Sequence, residues 1–145
     1  MRCLFCDFIS GRKYHNDDSP NGKYPLIPVF ENKQLFAFLS HPDNHLETHL
    51  LVIPKKHYEF LEDVPSKELC ALINLVSEFS KTIRQKYGGC KIVQNNGKHA
   101  QQYIGHVHFH LIPMKNEKIL WLNLSQEKFT SLSISLKKSL NSIQS

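Results

Sequence analysis

Gly105-His106-Val107-His108-Phe109-His110-Leu111-Ile112-Pro113 is the stretch whose reading decides the fold. Histidines stand at alternate positions, 106, 108 and 110, with Val107, Phe109 and Leu111 between them. In a β-strand successive side chains point to opposite faces. A strand over this stretch therefore puts three imidazoles on one face and the apolar residues on the other, against the core. Strand stability does not require three histidines in strict alternation. Imidazole titrates near neutrality, so the row suggests chemistry. Two chemistries fit: convergence on a metal ion, and nucleophilic attack by a ring nitrogen to give a covalent intermediate.

The rest of the chain sets the frame for that strand. Its 145 residues suggest one domain with its own core. The 41% hydrophobic and 21% charged content is that of a soluble globular protein. No apolar run reaches the length of a membrane span. The opening Met1-Arg2-Cys3-Leu4-Phe5-Cys6 lacks the apolar segment of a signal peptide, so a cytoplasmic protein is expected. The net charge of +5 comes from lysines spread along the chain. That charge suits either a plain basic surface or attraction of an anionic ligand such as a phosphate ester. Nucleic-acid binding is disfavoured, because no basic run with interleaved aromatics occurs.

Four cysteines occur, at 3, 6, 70 and 90. Cys70 falls in a helical apolar pattern and Cys90 opens a strand, so both read as core residues. Cys3 and Cys6 form a C-x-x-C, which is half of a structural zinc site or a redox pair. No β-α-β pattern surrounds it to favour the redox reading. Lacking a second C-x-x-C, a tetrahedral site needs histidines to complete it.

Residues 11–28 are rich in Gly, Pro, Asn, Asp and Lys and read as a long loop. Strand, turn and strand follow over 29–30, 31–33 and 34–39. Residues 41–44 read as loop and 48–53 as a buried-type strand. The clearest helix spans 66–87, with Leu69, Leu72, Ile73, Val76, Phe79 and Ile83 on one face. Pro65 and Ser66 start it and Gly88-Gly89 stops it. A short strand is expected over 91–95, a polar loop over 96–102, and a last helix over 125–140. Strands and helices without regular alternation argue for an α+β fold with an antiparallel sheet.

These residues resemble the histidine triad (HIT) superfamily, nucleotide hydrolases and transferases that act on α-phosphates. Three blocks carry the resemblance: Cys3-Leu4-Phe5-Cys6-Asp7-Phe8-Ile9; Thr48-His49-Leu50-Leu51-Val52-Ile53-Pro54-Lys55-Lys56-His57; and Asn95-Asn96-Gly97 through Gln102 to the triad and Pro113. They span about residues 1–115 in order. The resemblance implies an α+β, HIT-like fold: an antiparallel sheet of about five strands, one long helix and one short. The chain is then a single HIT-like domain over 1–145, with residues 116–145 as a C-terminal helical extension. Relatives usually dimerise through the long helix and a strand, which implies a homodimer.

The resemblance also implies roles. His108 matches the nucleophile that attacks the α-phosphorus. His110 matches a phosphate contact, Asn95 a residue that meets the nucleotide or orients the triad, and Gln102 a phosphate or leaving-group contact. His49 matches a histidine behind the phosphate site. Phe38 and Ser40 match the nucleoside side. In zinc-bearing relatives the ligands correspond to Cys3, Cys6, His57 and His106. Four protein ligands make a closed, structural Zn2+ site.

The chain departs from the family in three places. The loop before the triad usually reads Ala-Gly-Gln and then Ser or Thr; here it is Ala100-Gln101-Gln102-Tyr103. Both changes bear on phosphate geometry, and slow turnover with normal monophosphate binding is expected. Ser40 stands where relatives commonly carry a ribose-binding aspartate, with Asp43 a possible substitute. The 11–28 loop is longer than usual. His15, His45 and His99 lie in polar loops and are expected to have no role.

The activity implied is a hydrolase releasing a nucleoside monophosphate from a phosphoramidate, aminoacyl-adenylate or dinucleoside polyphosphate, with a purine nucleotide or its conjugate as ligand. A nucleotidyltransferase would use the same histidine. A non-catalytic nucleotide-binding regulator is the reading from outside enzymes. A DNA-adenylate hydrolase ranks last, because its nucleic-acid-binding appendage is missing.

Overall fold

The computed structural model describes residues 2–14, 26, 28–40, 49–119 and Lys138. The chain opens with helix α1 (Leu4–Ile9). Strands β1 (Pro28–Glu31), β2 (Leu35–Leu39) and β3 (Leu50–Pro54) follow, and then helix α2 (Ser66–Tyr87). The remaining strands are β4 (Gly89–Gln94), β5 (Phe109–Lys115) and β6 (Lys118–Ile119). Two 3-10 turns, Leu61–Asp63 and Lys98–Ala100, lie in the connections. The strands form one sheet in the order β1-β2-β3-β5-β4, and β6 pairs with β5. Every pairing is antiparallel.

The sheet is covered on both sides. Side chains of β2 alternate between two cores. Leu35, Ala37 and Leu39 face α2, and Phe36 and Phe38 face α1. In β3, Leu50 and Val52 join the α2 side, while Leu51 and Ile53 join the α1 side. Coverage of both faces explains why these strands read as unbroken apolar runs. Helix α2 supplies Leu72, Leu75, Val76, Phe79 and Ile83 to its core. It ends where Gly88 takes φ 116°, a conformation glycine adopts without steric cost. Helix α1, six residues long, is too short to stand alone. Burial of Phe5 and Phe8 holds it to the sheet, worth roughly 2–3 kcal/mol for each ring.

Several expectations need correction. The expected sheet of about five strands stands, with one addition among the described residues: Asn116 and Glu117, both at positive φ, turn the chain into the two-residue β6. The triad strand begins only at Phe109, so His106 and His108 precede it. The nitrogen of Val107 bonds the carbonyl of Tyr58 at 2.8 Å, outside any strand ladder. The alternation of sides survives, since Val107, Phe109 and Leu111 all join the α2 core. The fourth strand starts two residues earlier than expected and ends at Gln94. Cys70 is exposed rather than core, and Ile73 is 43% exposed, because the buried stripe of α2 runs through Leu75 instead. Cys90 is half-buried against the α2 core. His15, His45, Asp43 and most of the 11–28 loop lie outside the described residues, as does the helix expected over 125–140 apart from Lys138.

Candidate active site and metal centre

The end of β5 brings the histidine row to a cavity of about 280 Å³. Phe5, Ser40, His49, Leu51, Asn95, Gln101, Tyr103, Ile104, His108 and His110 line it. Register explains part of this. His110 pairs across the ladders with Leu51 of β3 and Val93 of β4, so Leu51 shares the face of the imidazoles.

His108 is buried, and its Nδ1 lies 2.7 Å from the backbone carbonyl of His106. A carbonyl only accepts, so Nδ1 carries the proton and Nε2 keeps its lone pair. Burial holds the imidazole below its ordinary pKa, against the hydrogen bond that favours the charged form. The ring is neutral at neutral pH, the state a nucleophile requires. Phe5 braces it edge-on, with centroids 5.2 Å apart, and meets the His106 ring in the same way at 5.8 Å.

His110 stands beside it, ring centroids 4.8 Å apart. Its Nδ1 is 2.7 Å from Nε2 of His49, whose Nδ1 is 3.3 Å from the Ser40 hydroxyl. That hydroxyl also accepts the His49 backbone N–H at 3.2 Å. A Ser40 hydroxyl donating to Nδ1 of His49 would set the His49 proton on Nε2, donating to His110. His110 then presents an Nε2–H as a neutral donor. Burial, reinforced by His49 and His108, pushes His110 down to about pKa 3.

The loop before the triad is clipped to itself. The Gln102 side chain accepts from the backbone of Gly97 at 2.7 Å and donates to the carbonyl of Glu59 at 2.7 Å. Both ends of that amide are in use, and Gln102 is not among the residues lining the cavity. Gln101, at φ 67° and ψ 30°, takes the left-handed conformation that a glycine would adopt freely. Asn95 reaches the carbonyl of Gln101 through its Nδ2 at 3.5 Å. Phe38 is also set back from the cavity, buried edge-on against Phe5 and Phe8. His99 is exposed on the 3-10 turn.

The residues expected to hold zinc converge. Ligand atoms of Cys3, Cys6, His57 and His106 all lie within 4.8 Å of one another. Nδ1 of His106 is 3.5 Å from Cys3 Sγ and 3.7 Å from Cys6 Sγ, and Nδ1 of His57 is 3.4 Å from Cys6 Sγ. Tetrahedral zinc with ordinary bond lengths needs nitrogen and sulfur roughly 3.6 Å apart. His106 Nε2 lies 2.8 Å from the carbonyl of Pro54, which fixes the proton there and leaves Nδ1 as a lone-pair donor. Burial and then the hydrogen bond with Cys3 push the Cys6 thiol up to about 11. Two thiolates this close need a cation between them. The donor set therefore fits zinc.

Structure thus gathers Ser40, His49, Asn95, His108 and His110 in one cavity and the four expected ligands in one cluster. Sequence reading missed Phe5, Leu51 and Ile104 as cavity walls. For Leu51 a signal existed, since period-2 alternation places it on the face of His49. Ile104 carried none.

Comparison with known proteins agrees with this geometry. The HIT domain family model matches residues 22–117. An uncharacterized HIT-like protein of Methanocaldococcus jannaschii is 39% identical over 113 residues, covering 77% of this chain and 78% of its own length. An adenosine 5'-monophosphoramidase of Candida albicans is 31% identical over 121 residues, covering 79% of this chain and 72% of that protein. Among solved structures, a zinc-bound histidine triad family protein from Mycobacterium smegmatis superposes with a TM-score of 0.72. It is 26% identical, with 99% of this chain and 98% of that one covered. With an antiparallel sheet, two of three alternating histidines in one cavity and the third in the Cys/His cluster, and a family model matched over 22–117, the chain belongs to the HIT domain family.

Proposed function

We propose that the chain is a nucleotide hydrolase that works at an α-phosphate through a nucleotidyl-His108 intermediate and releases a nucleoside monophosphate. The observation that carries this reading is the locked tautomer of His108, which points a bare Nε2 into the cavity. The lone pair of Nε2 attacks phosphorus. The bond to the leaving group breaks, and that group departs with the bonding pair and a proton from solvent. Water then attacks phosphorus and loses a proton, the phosphorus–nitrogen bond breaks, and its pair returns to His108. Among the described residues no lysine or arginine lines the cavity, so neutral donors such as the His110 Nε2–H meet the charge that develops on oxygen. Asn95 holds the loop at the phosphate, and Ser40 lies on the nucleoside side, with Phe38 packed behind the cavity wall. Gln102 acts on the phosphate indirectly, through the loop it clips.

Substrates are purine-nucleotide conjugates such as phosphoramidates, aminoacyl-adenylates or dinucleoside polyphosphates. The phosphoramidase named among the relatives supports the first of these. Cys3, Cys6, His57 and His106 would hold a structural zinc ion, which ties α1 to the residue preceding Val107 and His108. The chain works in the cytoplasm as a homodimer, joined through the exposed face of α2 and edge strand β4 around Ile92, which is 47% exposed. No described helix is long and apolar enough to cross a membrane.

The test is covalent trapping. Protein mixed with an adenosine phosphoramidate and quenched at alkaline pH gains the mass of one nucleotidyl group, and turnover follows. His108→Ala loses both, with turnover down about 10³-fold or more, while circular dichroism is unchanged. Turnover of His108→Ala within a few-fold of the parent refutes the mechanism. For the dimer, sedimentation gives twice the 16.8 kDa chain mass.

A further inference from the structure

Tyr103 stands out on the surface. It is 85% exposed, whereas Tyr58 a short way off is buried. It occupies the wall between two cavities. One is the histidine cavity, and the other, of about 350 Å³, is lined by Arg2, Cys3, Leu4, His57, Glu59 and Gly105. Tyr103 and Ile104 belong to both.

The backbone on either side of this ring is pinned. Gln102 is held by both ends of its side chain, and the carbonyl of Ile104 accepts the His106 N–H at 2.8 Å. A ring carried on a fixed backbone loses little freedom when something stacks on it. Its place along the cavity is informative too. Contacts order one side of it, Ser40 meeting His49, His49 meeting His110 and the His110 ring standing beside His108, while Tyr103 and Ile104 are the part shared with the second cavity. A nucleoside at the Ser40 end leaves the Tyr103 end to the departing group. That end is poor in free charge. Among the described residues no lysine or arginine lines the first cavity, and in the second the Arg2 guanidinium is paired with Asp7 at 2.6 Å. Among the described residues a chain of bridging phosphates would find no unpaired cation there, whereas an uncharged ring would find a flat aromatic face and Ile104.

We infer that Tyr103 is a specificity residue for the leaving group, selecting nucleotide conjugates whose departing amine carries an uncharged planar aromatic ring. This rests on the nucleotide-hydrolase reading of the same cavity. The ring of the departing amine stacks on Tyr103 across the shared wall. Such aromatic pairs favour the ring-bearing substrate by about 3- to 10-fold over a saturated ring of equal size.

The test compares two adenosine phosphoramidates, one of 2-phenylethylamine and one of 2-cyclohexylethylamine, on the full chain. The parent should show kcat/KM about 3- to 10-fold higher for the phenyl compound. Tyr103→Phe should keep that ratio and Tyr103→Ser should bring it near unity. The same ratio should appear in dissociation constants measured on the His108→Ala protein, with and without Tyr103→Ser. An equal preference with and without Tyr103, in turnover or in binding, overturns the inference and leaves the hydrolase reading intact. Phenyl-selective binding without turnover supports the Tyr103 site and removes the hydrolase reading. A better rate for a dinucleoside polyphosphate than for the phenyl conjugate also overturns it, by placing a charged bridge where the described residues offer no unpaired cation.

Discussion

Replacing His110 with glutamine should flatten the acid side of the stability curve. In the folded chain, burial and then the neighbouring His49 and His108 hold His110 down to about pKa 3, from an ordinary value of 6.5. The unfolded chain therefore takes up a proton below 6.5 that the folded chain refuses. Stability is fully present above that pH and falls as the pH drops below it. At about pH 5 the unfolded imidazole is 1.5 units below its own pKa, which at about 1.36 kcal/mol per unit costs about 2 kcal/mol. This figure depends on the unfolded value alone, provided that the folded value lies well below 5. The assay is urea unfolding of parent and His110→Gln at about pH 7.5 and about pH 5. The parent should lose about 2 kcal/mol more than the variant between the two. Protonation of the cysteine pair weakens metal binding equally in both proteins, so it cancels in the difference. Equal losses would show that His110 titrates normally in the fold, and the packed neutral pair with His49 would be wrong.

Metal analysis of protein made without a histidine tag should give close to one zinc per chain. Cys3→Ser should lose it and, at a free zinc level about 1,000 times the dissociation constant, forfeit about 4 kcal/mol of stability, seen as a Tm lower by about 10 °C; a metal-free parent of equal stability refutes the site. Gln101→Gly should relieve the left-handed backbone, adding about 1 kcal/mol and raising Tm by about 3 °C. The same change should raise kcat more than it alters the dissociation constant of the monophosphate, and an unchanged kcat with higher Tm would confine Gln101 to a structural cost.

Much of this was legible in the chain. The alternation at 106–110 announced which side chains share a face, because period 2 survives even where the ladder does not. The 66–87 helix was legible to its ends, since Pro65, Ser66 and Gly88 mark both. The metal cluster was half legible. The C-x-x-C is local, but its partners lie 51 and 100 or more residues away, and only the fold, or resemblance to relatives that share it, brings them together. Helix α1 was hidden because six residues carry too little periodicity. The β5–β6 turn was hidden because Asn116-Glu117 is not a usual hairpin pair. Gln102 shows a different limit. Its type and place suggested a phosphate contact, yet its hydrogen bonds are spent on the loop.

The bond from His108 to residue 106 reaches a backbone carbonyl, not a side chain. Any amino acid at position 106 carries that carbonyl. Selection acting on metal affinity at 106 and selection acting on the nucleophile at 108 are thus separable, although the two sites are neighbours. A lineage could lose the two cysteines and His106 together, as zinc became scarce, and still inherit a correctly protonated nucleophile. The same separation gives the experimenter a clean lesion: a change of side chain at 106 removes a metal ligand while the acceptor that orients His108 stays in the chain.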